Sequence, residues 1–80
     1  MLSSEQVRAA RALLRMEQKQ LAEASGISLP SIKRLETKAG PLAAQDRTVK
    51  AIQTALEAAG VQFIDENGGG AGVRLRKQRE

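Results

Sequence analysis

The chain has no cysteine and no histidine, so it lacks the thiolate nucleophile and the side chain that titrates near neutrality. Asp65-Glu66 beside Asn67 has a superficial likeness to a cation-binding loop, but no further carboxylate follows at the spacing such a loop needs. No paired carboxylates stand in a recognisable motif. We therefore expect no metal, no cofactor and no enzymatic activity. What remains is recognition chemistry. Ser28, Ser31, Lys33 and Arg34 bring hydroxyls and positive charges into one short stretch, with Gln18 ahead of it and Lys38 behind. Such groups bond phosphate oxygens and base edges. The overall balance points the same way, with 13 Lys+Arg against 9 Asp+Glu and a formal net charge of +4. The plainer reading of the same residues is a row of solvated charges. Phe63 is the single aromatic residue, which leaves no platform for stacking unpaired bases and favours duplex DNA over single strands or RNA.

Those side chains need elements to hold them. At 80 residues the chain supports one modest core and no deep cleft. Ser3 or Ser4 caps a first helix in which Val7, Ala10 and Leu14 recur at helical spacing, with Met16 closing the segment. A short helix follows around Gln18–Ser25, with Leu21 and Ala22 inward, and Gly26 takes the left-handed position after it. Ser28 caps a third helix near residues 28–37. Pro30 is tolerated in its first turn, and Ile32 and Leu35 point inward. Gly40-Pro41 breaks the chain. Asp46 then caps a fourth helix whose apolar stripe is Val49, Ile52, Leu56 and Ala59, ended by Gly60.

Past Gly60 the pattern alternates. Residues 61–65 and 73–77 read as strands around the turn-rich stretch 66–72. The two form a hairpin, or the three adjacent glycines mark a flexible tail. We divide the chain into a helical unit, residues 1–60, and a hairpin or basic tail, residues 61–80. A lone hairpin is marginal in water, so Val61, Phe63, Val73 and Leu75 need cover, either from the fourth helix or across a two-fold axis as a dimerisation element. Arg74, Arg76, Lys77 and Arg79 read as a solvated strand face and tail. The first residues carry no secretion signal and no apolar run is long enough to span a membrane, so a cytoplasmic protein is expected.

The stretch from Gln18 to Glu36 carries the functional signal. Two short helices are joined by Ser25-Gly26-Ile27-Ser28, a glycine-containing turn of helix-turn-helix length. Leu21 and Ala22 anchor the first, Ile27 plugs the turn, and Ile32 and Leu35 anchor the second, whose exposed residues are left for the major groove.

The pattern Gln18-x-x-Leu21-Ala22-x-x-x-Gly26-Ile27-Ser28-x-x-x-Ile32-x-x-Leu35-Glu36 resembles the phage-repressor and Cro family, also called the Xre family. The likeness runs from about Val7 to Leu56, and the Ala55–Gly70 segment resembles very short bacterial members. It implies a mostly α, four-to-five-helix repressor-like domain with a C-terminal β-hairpin or tail, binding operator DNA, usually as a homodimer. By position, Gln18 contacts a phosphate or braces the recognition helix. Ser28, Leu29 and Pro30 meet the groove edge, while Ser31, Lys33 and Arg34 face DNA. Arg34 is the expected base reader, since a guanidinium bonds guanine O6 and N7 together, and Leu29 suits a thymine methyl. Lys33 and Lys38 are phosphate neighbours. Leu29 and Pro30 replace the polar readers common in the family. The resemblance also implies a buried ion pair between Arg11 and Glu36.

The function expected is sequence-specific duplex binding and transcription regulation, as a repressor. The alternative is an antitoxin or adaptor that uses the same fold to bind a protein partner, either a toxin or the transcription machinery.

Overall fold

A computed structural model describes residues 2–76. Helices α1 (Ser4–Leu14), α2 (Gln18–Ser25), α3 (Leu29–Thr37) and α4 (Asp46–Ala59) are followed by strands β1 (Val61–Ile64) and β2 (Gly72–Leu75). The strands pair antiparallel in the register Val61↔Leu75 to Ile64↔Gly72. The architecture is thus a mostly α domain of four helices closed by a two-strand hairpin. No helix among the described residues is long and apolar enough to cross a membrane.

Local chemistry accounts for the helix ends. Ser3, not Ser4, caps α1. Its hydroxyl accepts from the Gln6 N–H at 3.1 Å while the Gln6 amide oxygen accepts from the Ser3 N–H at 3.0 Å, a reciprocal capping box. The helix stops before Met16, at Leu14, because Arg15 turns left-handed with φ of 54°. Gly26 ends α2 with φ of 76° and donates to the Ala22 carbonyl at 2.9 Å, a conformation a side chain would strain. The Ser28 hydroxyl accepts from the Ser31 N–H at 3.3 Å and starts α3. Asp46 is not the cap of α4: Gln45 holds that position and Asp46 is the first helical residue, where its charge still favours the positive helix end.

One core joins all six elements. Val7, Ala10, Leu21, Ile32, Leu35, Ile52, Leu56 and Val61 are buried together with Leu2, Leu42 and Ala55. On α4 the inner stripe ends differently from its sequence pattern. Ala55 is buried and Ala59, the last residue of the helix, is exposed.

The hairpin corrects the dimerisation set. Val61 is fully buried inside its own chain, Phe63 and Val73 are half-buried against the same core, and only Leu75 stays open, at 45% exposure. Alternation puts these four on one face, and α1 and α4 supply the cover from within the chain. Both strands are also shorter than the alternation suggested, stopping at Ile64 and Leu75. Lys77 and Arg79 lie outside the described residues.

Candidate nucleic-acid interface

The α2–α3 pair is held from beneath by charge. Glu36 points inward from the last turn of α3, its side chain 4% exposed. Arg11 reaches it from α1 with two parallel bonds, Nε to Oε2 at 2.7 Å and Nη2 to Oε1 at 2.6 Å. This is the fork geometry that makes arginine the partner of choice for a carboxylate. Gln18, the first residue of α2, adds Nε2 to Oε1 at 3.0 Å, so it braces α3. The remaining Arg11 donor, Nη1, bonds the Met16 carbonyl in the α1–α2 turn at 3.0 Å. One carboxylate on α3 therefore ties together α1, α2 and the turn between them. A buried carboxylate is tolerable only when its oxygens are filled in this way.

With Ile32, Leu35 and Glu36 committed to the interior, the opposite side of α3 is left to solvent. Pro30, Lys33 and Arg34 are exposed, Leu29 and Ser31 are half-buried, and Lys38 is exposed just past the helix end. Ser28 is exposed and its hydroxyl bonds that of Ser31 at 2.9 Å, so both hydroxyls are oriented at the start of the helix. Arg34 and Lys38, with Leu35, Thr37 and Ala43, also line an open groove of about 460 Å³ between α3 and the segment that follows it. Among the described residues neither Lys33, Arg34 nor Lys38 forms a salt bridge, so their charges are available to an anionic partner.

Two features of this region have no local sequence signal. Glu5 stands in the first turn of α1, where its charge suits the positive helix end, yet its carboxylate accepts from the Gly40 N–H at 3.1 and 3.3 Å. The Ser4 N–H donates to the Gly40 carbonyl at 2.9 Å and the Leu42 N–H to the Leu2 carbonyl at 3.1 Å. The N-terminal residues thus fasten the segment after α3, which forms the far wall of the groove. The Glu5 carboxyl is held below its ordinary value, first by the backbone N–H at its own position and then by that of Gly40. Glycine before proline marks this segment as a chain break, but nothing local says where it will be fastened.

No protein-family model matches the chain, and no characterised protein matches it in sequence. The resemblance to the repressor and Cro family therefore rests on the quoted residues alone.

Proposed function

We propose that the chain binds duplex DNA sequence-specifically through α3 and acts in the cytoplasm as a transcription regulator, a repressor. The observation that carries this reading is the division of α3. One side is tied by Glu36 to Arg11 and Gln18, and the other presents Ser31, Lys33 and Arg34 from a helix whose N-terminal turn is open. A helix fits the major groove of B-DNA, and a rigidly seated helix gives a reproducible docking angle. Arg34 reads a base edge in this proposal. Lys33 and Lys38 neutralise phosphates, and Leu29 meets a thymine methyl. Two copies on one duplex occupy half-sites one helical turn, ~34 Å, apart.

Selection from a pool of random duplexes tests it. Enrichment of a consensus about four to six base pairs long, or two such half-sites at helical spacing, is expected. A pool that stays random while the chain binds it would reduce the function to unspecific phosphate contact.

A further inference from the structure

We propose that the outer edge of β2 is a docking site for an extended acidic segment of another protein, which adds a third strand to the hairpin. This goes beyond the duplex reading, because the hairpin packs on α1 and α4 and contributes none of the α3 residues that reading uses.

The edge is open by register. The Arg76 N–H donates to the Gly60 carbonyl at 2.9 Å, so the pairs Gly60–Arg76, Gln62–Arg74 and Ile64–Gly72 exchange the inward bonds. The N–H and C=O groups of Val73 and Leu75 therefore point away from β1, and they bond no other described residue. Unpaired groups in a row on an edge strand are a template for another strand.

The edge also has an apolar rim. Leu75 and Leu13 are the exposed large hydrophobics among the described residues, at 45% and 41%. Gln6 bonds the Gly72 carbonyl at 2.9 Å. Leu13 lies two turns along α1 from Gln6 on the same face, and Leu75 lies three residues along β2 from Gly72. Both steps advance ~10 Å. A Cβ placed on Gly60, the partner of Arg76, would lie 3.8 Å from Leu14, so the C-terminal turn of α1, which carries Leu13, lies at the same end of the hairpin as Leu75.

Charge selects the occupant. Arg74 and Arg76 flank Leu75, are exposed and form no salt bridge among the described residues. Their bonds go to neutral groups, the Gln62 amide at 3.2 Å and the Glu57 carbonyl at 2.8 Å. A second copy pairing β2 with β2 sets guanidinium against guanidinium, which is destabilising across strands. A strand that alternates acidic, apolar and acidic residues instead places carboxylates beside the two arginines and its apolar residue over Leu75 and Leu13.

The test is fluorescence anisotropy of a labelled peptide with a Glu-Val-Glu-Val-Glu centre, titrated with the full chain. Saturable binding is expected, weakened roughly tenfold or more by Leu75→Asp and by the pair Arg74→Glu with Arg76→Glu. N-methylation of both valines should abolish it, because the residues set opposite Val73 and Leu75 must donate from their backbone. Arg34→Ala should bind as wild type, which keeps this result separate from the duplex reading. All three substituted hairpin residues are exposed, and unchanged thermal unfolding checks that the variants fold. The proposal is overturned by no binding at millimolar peptide, or by equal binding of polyglutamate or the N-methylated peptide. A Leu75-dependent dimer in sedimentation equilibrium would make a second copy the occupant. Absence of peptide binding together with loss of duplex affinity in the arginine pair would assign the edge to nucleic acid.

Discussion

Helix α1 holds two neighbours by different means. Near its C-terminal end Arg11 grips Glu36 of α3 through a charged fork, with Gln18 completing the shell. At its N-terminal end Gln6 holds the hairpin through a neutral amide, donating to the carbonyls of Gly72 at 2.9 Å and Ile64 at 3.5 Å. Beneath the hairpin the hold is apolar, from Val61, Phe63 and Val73, with Arg76 just past β2 donating to the Glu57 carbonyl of α4 at 2.8 Å. The charged clasp is directional, and it sets the rotation of α3 about its axis. Apolar burial seats the hairpin without such angular control, and it leaves an edge unpaired. A surface that must meet a partner at one angle is better served by the first kind of attachment.

The largest effect should come from breaking the clasp. Arg11→Ala strands Glu36 in the interior with Gln18 as its remaining side-chain donor, and should cost ~3–5 kcal/mol in urea unfolding. Glu36→Ala should cost less, because Arg11 is 19% exposed and can turn to water. Equal losses for the two would show that the fork, rather than the stranded carboxylate, sets the energy. On the hairpin side Val61→Ala removes two methyl groups from a fully buried site and should cost about 2 kcal/mol. A loss as large as that of Arg11→Ala would erase the contrast between the two attachments.

Much of this arrangement was legible in the sequence, and its gaps have physical causes. The bounds of α2 and the places of Gly26, Ser28 and Gly60 follow from short-range rules of capping and left-handed turns, which act within a few residues. The end of the α4 stripe was misplaced because helical period marks a face, not how far a neighbour covers it. Ala55 and Ala59 are both alanines on that helix, and only tertiary packing distinguishes them. For the same reason the cover of Val61 stays open between the fourth helix and a two-fold partner: alternation makes it apolar and inward without naming the element above it. Gln6 escaped notice because its partners Ile64 and Gly72 are 58 and 66 residues away. A glutamine directly before Val7 on a buried helix face is the one hint, and it names no acceptor. At the α3 surface, exposure of Lys33 and Arg34 follows from the inward spacing of Ile32 and Leu35, whereas the groove wall built by Ala43 depends on the fastening at Gly40.

Smaller effects sharpen the comparison. Gln6→Ala removes the hairpin latch and one arm of the α1 capping box and should cost ~1–2 kcal/mol. Amide exchange should quicken in β1 and β2 while α3 stays protected. Faster exchange in α3 as well would mean that the two attachments are not independent. The smallest effect concerns Glu5. Its carboxyl is held below the ordinary 4.5 when folded, so its contribution is present above that value and is lost as pH falls through the lower folded-state value. Glu5→Gln should lower stability slightly at neutral pH, where that contribution is present, leave the acid end unchanged, and so flatten the acid limb of the profile. An unaltered acid limb would remove the Gly40 contact from the account.

The central claim, that the free side of α3 reads duplex DNA, is tested most directly through Arg34. The duplex selected from the random pool and a scrambled version are titrated with the wild-type chain and with Arg34→Ala and Lys38→Ala, each at two salt concentrations. Arg34→Ala should weaken the selected duplex roughly 10- to 100-fold and the scrambled one far less, because a bidentate guanine contact is worth ~1–3 kcal/mol of discrimination. Lys38→Ala should weaken both alike and flatten the salt dependence. If Arg34→Ala instead lowers both affinities equally, Arg34 touches only phosphate. If it changes neither, α3 is not the reading helix.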